Sequence, residues 1–305
     1  MQFEHNHHSV TQALDNIVSA VQLSFNQCQS DVYWLSVDFR MLIAATGVKH
    51  TEAHKAAIYI VDSLVAQLKP NESLLVSSFY FSFPHSKAFS PYKSEVQTGA
   101  FGAMLLAQYP QHRVQQPFYS FLVFGHAYPS LTQNYIAKST GPDSIFEWVI
   151  KNNTQLTCVG HHYVKSLSSI HHAEHCADVD YRYVKTFSGS LLLHNTKEQH
   201  IETQFYVRDL DTCDFSSLTH TGDRAFREAA VIESQLLSTL KRPLLIHSIN
   251  LLCAHEMMLQ DLNSGNNRYV DYFGPMKQEH EVITGKVADK LYTKELNALI
   301  NTQSC

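Results

Sequence analysis

Apolar residues at Val10, Leu14, Ile17, Val18, Val21 and Leu23 recur near helical spacing, which predicts an amphipathic helix from about Val10 to Phe25. After Gln29-Ser30-Asp31 the unbroken apolar run Val32-Tyr33-Trp34-Leu35 reads as a buried strand. Thr51 stands where a cap belongs for a helix running to Leu68 and stopping before Pro70. Ser73 to Phe83 (SLLVSSFYFSF) is rich in strand formers and is ended by Pro84. Strand, helix and strand in that order predict a parallel α/β core. Pro84 to Gln97 is loop-like and aromatic, and Thr98-Gly99 opens a helix to about Gln108. Tyr119–Gly125 is a strand, Ser144–Asn152 a helix capped by Asp143 or Ser144, and Gln155–Val159 a strand ended by Gly160. A helix starts near Ser168. The last third alternates strands (Ser190–His194, His200–Val207) with a helix at Arg224–Leu240.

With no internal repeat, low-complexity tract or clear linker, one domain spanning 1–305 is expected. It carries an N-terminal helix (about 9–27). The 305 residues are 44% hydrophobic, which argues against disorder or a coiled coil. Lys+Arg number 23 against 28 Asp+Glu, a formal net charge of -5 with no basic run, so nucleic acid is not an expected partner. No run approaches the ~18 apolar residues of a spanning helix, and the N-terminus lacks a secretory pattern. Cys28, Cys158, Cys176, Cys213, Cys253 and Cys305 are scattered without a CxxC pair, which suggests reduced, mostly buried thiols. A cytoplasmic protein without membrane partners is the expectation.

The densest set of reactive groups is Ser168-Ser169-Ile170-His171-His172-Ala173-Glu174-His175-Cys176-Ala177-Asp178. On a helix His171 shares a face with Glu174 and His175. A carboxylate bonded to one imidazole nitrogen fixes the tautomer and raises the basicity of the other, so His171–Glu174 is a candidate general-base dyad. Two readings compete with it. One is an exposed, His-rich helix start with no function. The other is a zinc site drawn from His161, His162, His171, His172, Glu174, His175 and Cys176, whose side chains are usual zinc ligands. The segment is HHAEH rather than HExxH, and the His50/His54 pair stands alone.

A longer pattern runs through Ser90-Pro91-Tyr92, Thr98-Gly99-Ala100, Arg113-Val114-Gln115-Gln116-Pro117-Phe118-Tyr119-Ser120, Phe124-Gly125, Gly141-Pro142-Asp143-Ser144-Ile145-Phe146, Val159-Gly160 and Ser168 to Glu174. This order resembles the aminoglycoside 3-N-acetyltransferase family (the antibiotic N-acetyltransferase fold), whose members use acetyl-CoA. The family's landmarks are a TG-led helix, an RSxHPxxS stretch before a strand, a GxxSxF helix start and a TxxHxxE helix. Tyr181 to Phe187 and Tyr206 to Phe215 also look like its landmarks, so the resemblance spans roughly Val32 to Phe215, with the C-terminal part (about 216–305) less well matched. It implies an α/β fold with a mixed, largely parallel sheet flanked by helices.

The resemblance implies that His171 is the base and Glu174 the residue that orients it. Ser168 takes the place of the family's threonine, able to bond pantetheine or the thioester carbonyl. Ser36 matches a serine of the family's VHSSL loop at the CoA site, and Arg113 and Ser120 match the arginine and serine of RSxHPxxS near the cofactor. Tyr92 and Gln116 are the expected substrate contacts. Departures are Gln116 for the HP histidine, Leu35 for the VHSSL histidine, and Ala103 and Leu106 for a glutamate and arginine of the TG-led helix. They remove charge from the cleft and argue against a polycationic aminoglycoside. The expected reaction is direct acetyl transfer from acetyl-CoA, as co-substrate and without a metal. Cys176, five residues from His171 on another helical face, is not favoured as an acyl carrier. Aromatics at Tyr80, Phe81, Phe83, Phe89, Tyr92, Phe118 and Tyr119 suit an amino sugar as the small-molecule acceptor, preferably one of polysaccharide biosynthesis. A homodimer is compatible with this reading. The alternatives are a non-catalytic acyl-CoA- or sugar-binding relative and a zinc protein built on the His161–Cys176 cluster.

Overall fold

The structure is a computed structural model that describes residues 7–27, 30–193, 198–275, 277 and 281–303. Its strands are β1 (Val32–Val37), β2 (Ser73–Ser77), β3 (Ala88–Phe89), β4 (Phe121–Gly125), β5 (Gln155–Val159), β6 (Arg182–Leu192), β7 (Glu198–Arg208), β8 (Phe215–Leu218), β9 (Ile232–Leu237), β10 (Leu244–Asn250) and β11 (Val270–Phe273). Its α-helices are α1 (His7–Gln27), α2 (Phe39–Thr46), α3 (Ala53–Val65), α4 (Phe83–Ser86), α5 (Ala100–Gln108), α6 (Tyr128–Thr132), α7 (Ile145–Lys151), α8 (Ile170–Cys176), α9 (His220–Glu228), α10 (Leu251–Asn263) and α11 (Gly285–Gln303).

Six strands form the main sheet in the order β4-β2-β1-β5-β10-β9. β1 runs parallel to both β2 and β5, while β4, β10 and β9 pair antiparallel with their neighbours. Side chains on a strand alternate between faces, and the central strands feed two cores. Trp34, Leu75, Phe121 and Leu156 meet α7, α8 and α10 on one side. Tyr33, Leu35, Leu74 and Phe124 meet α1, α2, α3 and α5 on the other. Burial on both faces is why these strands read as continuous apolar runs. A three-stranded sheet, β3-β6-β7, stands beside this body, with β6 and β7 in register from Arg182↔Arg208 to Leu192↔Glu198.

Several predicted boundaries move. The helix expected from Thr51 begins instead with a 3-10 turn, His50–Glu52, and α3 stops at Val65. The strand expected to reach Phe83 leaves its ladder after Ser77. Ser78 N–H and Tyr80 N–H still donate to the carbonyls of Ser120 and Phe118, and Pro84 sits in the first turn of α4. The helix expected over Arg224–Leu240 ends at Glu228. Ala230 takes a left-handed turn (φ 53°), and Ile232–Leu237 pairs with β10 as a sheet edge. Ser144, not Asp143, caps α7 by accepting from Glu147 N–H at 3.0 Å. Cys158 and Cys213 are buried free thiols, whereas Cys176 and Cys253 are exposed; Cys28, Cys305 and His194 lie outside the described residues. Among the described residues, no helix is long and apolar enough to cross a membrane.

Candidate active site

The parallel strands β1 and β5 end on one edge of the sheet, at Val37 and Val159, and open α/β sheets place ligands beyond such carboxyl ends. From β5 the chain passes Gly160 and a 3-10 turn (Tyr163–Ser166) into α8. Ile170 and Ala173 anchor α8 in the core, which leaves His171 on the flank that faces the β6–β7 ribbon and a cleft.

Glu174 is 0% exposed and holds the centre of the arrangement. One carboxylate oxygen, Oε2, receives the Nδ1–H of His171 at 2.7 Å and lies 2.8 Å from Nε of Arg182. The other, Oε1, accepts from the Tyr181 hydroxyl at 3.1 Å. Arg182 is fixed in turn by Ser216 Oγ at 2.6 Å and the Tyr206 carbonyl at 3.3 Å. Burial pushes the Glu174 carboxyl up, but His171 and Arg182 outweigh it and hold the group below the usual carboxylate range. An ionised carboxylate only accepts hydrogen bonds, so Nδ1 of His171 carries the proton and Nε2 keeps a free lone pair. Burial first, then Arg182, hold the imidazole below its ordinary pKa against the opposing pull of Glu174. The ring is thus neutral near pH 7, 21% exposed and basic at Nε2.

Three hollows meet along this edge. The largest, about 840 Å³, is lined by His171, Arg182, Lys185, Phe205, Arg208 and Phe215, among others. A second, about 340 Å³, is lined by Lys165, Leu167, Ser168, His171, Ile283 and Ala288. His171, Phe215 and Ser216 belong to both walls. A third, about 300 Å³, lies between Ser36, Arg40, Gly99, His161 and Ser166, and shares Lys165 with the second. Ser36 Oγ sits 3.1 Å from His161 Nε2 and 2.7 Å from Ser166 Oγ, which ties β1 to the turn before α8.

Helix α11 closes the second hollow with Gly285 and Ala288. Asp289 binds Lys165 at 2.8 Å, and Glu295 gathers Arg227, His247 and Ser234 at 2.6–3.1 Å. The opposite end of α8 is held by the 139–143 loop. Thr140 Oγ1 meets His175 Nδ1 at 2.8 Å, and His175 stacks on Tyr206 with ring centres 4.5 Å apart. Gly141, at φ 78°, lies so close that an added Cβ would stand 2.6 Å from the His175 ring.

Of the residues singled out in the sequence, His171, Ser168 and Ser36 line these hollows, and Glu174 is buried behind His171. Arg113, Ser120, Gln116 and Tyr92 do not line any of the three. Arg113 is 1% exposed and donates to Ser120 Oγ at 3.0 Å and to the carbonyls of Ser78 and Ser94. Ser120 donates to the Ser78 carbonyl at 2.6 Å. Gln116 Oε1 accepts from the N–H groups of Phe118 and Tyr119 at 2.7 and 2.6 Å, an internal turn brace. With their polar atoms turned to the chain itself, Arg113, Ser120 and Gln116 support the interior rather than the cofactor or substrate contacts expected of them. Arg182, Lys185, Arg208 and α11 carried no sequence signal for the site beyond the Tyr181–Phe187 and Tyr206–Phe215 landmarks.

Among the described residues, the side chains of the alternative zinc reading are not gathered into one set. His172, Cys176 and His255 of α10 bring ligand atoms within 4.8 Å of one another. Gly141 N–H donates to His172 Nδ1 at 3.1 Å, which leaves the proton on Nε2, the atom 3.6 Å from Cys176 Sγ. That nitrogen therefore points a proton, not a lone pair, at the cluster, and the set fits a metal poorly.

A family model described as aminoglycoside 3-N-acetyltransferase matches residues 60–247. No curated protein matches the sequence. Among solved structures, sisomicin-bound AAC-VIa aligns at TM-score 0.61 and 15% identity, covering 84% of this chain and 98% of that one. AAC-IIIb in binary complex with CoASH aligns at 0.60 and 14%, covering 88% and 99%. The YokD protein from Bacillus subtilis aligns at 0.55 and 11%, covering 81% and 99%. At these identities the likeness is one of fold.

Proposed function

The chain belongs to the aminoglycoside 3-N-acetyltransferase family, a family of acetyl-CoA-dependent N-acetyltransferases, and on that footing we propose that it moves an acetyl group from acetyl-CoA to the amine of a small acceptor. The observation that carries the reading is the position of His171, on the wall common to two hollows with a buried carboxylate behind it. Two substrates that must meet at one base require that arrangement.

The donor lies in the two smaller hollows. Ser36, Arg40 and Lys165 border the end suited to the phosphates, and Leu167, Ile170, Ile283 and Ala288 border the end suited to the pantetheine arm. CoASH bound to AAC-IIIb is consistent with this use of the fold. The acceptor enters the large hollow, where Phe81, Tyr119, Phe187 and Phe205 offer ring faces to a sugar. His171 Nε2 takes a proton from the attacking amine as the carbon–nitrogen bond forms; the carbon–sulfur bond of the thioester then breaks, and the imidazolium gives that proton to the departing CoA thiolate. Glu174 stabilises the resulting imidazolium, and the Ser168 hydroxyl faces the hollow in which oxyanion charge develops. Sisomicin, the ligand of AAC-VIa, is an aminoglycoside; for this chain an amino sugar of a less cationic kind is the preferred acceptor.

Calorimetric titration with acetyl-CoA, followed by thiol-release assays on His171→Ala, tests the reading. One binding site per chain, with turnover lost in the variant and CoA affinity within about threefold of wild type, supports it. No acetyl-CoA binding, or an unchanged rate in the variant, overturns it.

A further inference from the structure

The large hollow has a charge pattern that acetyl transfer alone leaves unused. Arg182, on its wall, is engaged by Glu174, Ser216 and the Tyr206 carbonyl. Arg208 is exposed on the same wall, and among the described residues its guanidinium has no hydrogen bond or ion pair. Lys185 is exposed as well, with its ammonium 5.5 Å over the Phe187 ring and, among the described residues, no carboxylate partner. Two carboxylates share the rim, Asp209 and Asp211. Asp209 is turned to the chain, accepting the Asp211 N–H at 3.1 Å to close the turn after β7. Arg208 is also near enough to His171 to contribute to the low basicity of its imidazole.

An unpaired cation on a concave aromatic wall is poor accommodation for a polycation and good accommodation for an anion. A guanidinium fork matches the two oxygens of a carboxylate or phosphate, and charge-assisted bonds of this kind are about twice as strong as neutral ones. Juxtaposed like charges in a cleft reject the wrong partner. We infer that the acceptor is zwitterionic: a small ring-bearing amine that also carries a carboxylate or phosphate, held by Arg208, with Lys185 a second cation lining the same hollow. This deepens the acetyl-transfer reading and rests on it.

The test uses the full chain saturated with CoA and titrated calorimetrically with glucosamine, glucosamine 6-phosphate, muramic acid and sisomicin. At least one of the two anionic sugars binds about tenfold or more tightly than glucosamine, and the arm that gains tells phosphate from carboxylate. In Arg208→Ala that gap shrinks to within about threefold while glucosamine binding holds, and in Arg208→Glu the order turns in favour of sisomicin. Equal affinity for the three sugars, no binding of either anionic sugar, tighter binding of sisomicin to the wild type, or an unchanged gap in Arg208→Ala overturns the inference. CoA binding distinguishes the two failures. Where CoA binds and the anion preference is missing, only the zwitterion inference falls; where CoA does not bind, acetyl transfer falls with it.

Discussion

Glu174→Gln removes one charge from the centre of the site and keeps its shape. The carboxylate oxygen lies 2.7 Å from His171 Nδ1, which puts the centre of the imidazolium charge about 4 Å away. Two unit charges at about 4 Å interact by about 4 kcal/mol at an effective dielectric of about 20. That is an upper bound of about 3 pKa units, since each unit corresponds to about 1.4 kcal/mol. The glutamine oxygen still accepts from Nδ1, so a fall of about 1–2 units in the His171 pKa is expected. The base acts only when neutral, so activity rises with pH through that pKa and levels above it. In the wild type the rise lies below the ordinary histidine value, because burial and Arg182 depress it. In Glu174→Gln it moves lower still, while the plateau of kcat/KM drops by about 10²-fold, within the range general-base catalysis supplies. Arg182, 6% exposed, loses its counter-ion, at a cost of about 3–5 kcal/mol in stability. Glu174→Gln combined with Arg182→Met relieves that cost and separates folding from chemistry. The assay is a pH–rate profile by thiol release, with circular dichroism to verify folding. A plateau within about threefold of wild type and an unmoved acid limb refute the reasoning.

Arg113→Ala leaves buried carbonyls unpaired and lowers stability by about 3 kcal/mol in urea titration, while the KM for acetyl-CoA stays within about twofold; a large rise in KM would return Arg113 to the cofactor. Gly141→Ala combines a left-handed backbone with a clash on the His175 ring, and lowers stability by about 2–4 kcal/mol. Repeating it in a His175→Ala background removes the clash and leaves a smaller loss, about 1–2 kcal/mol, read from thermal melts. Extended dialysis against a chelator leaves turnover unchanged, because His172 Nε2 carries a proton toward Cys176; a loss restored by zinc alone contradicts that assignment.

How far the sequence discloses the site depends on whether a signal is local. His171 and Glu174 are three residues apart on one helix, so their contact follows from helix geometry. The central strands were legible because burial on both faces leaves unbroken apolar runs, as in Val32–Leu35. Arg182 and Arg208 meet only through the pairing of β6 with β7, and α11 reaches the site from more than a hundred residues away. Such neighbours leave no spacing to read. Arg113 misleads for the opposite reason, since a charged residue looks exposed until the segments at Ser78 and at Ser94 supply carbonyls for it. Leu35 and Leu106, read from the resemblance as charge lost from the cleft, are buried in the core behind the sheet.

The tie between Lys165 and Asp289 spans 124 residues of chain, and Ala288 forms part of the wall beside His171. During synthesis on the ribosome the base, its carboxylate and both central parallel pairs emerge well before that wall does. A pairing of such long range forms late, after the local contacts that precede it. A growing chain therefore holds His171 and Glu174 together with the second hollow still open to water, and closes that hollow only when α11 has emerged and docked.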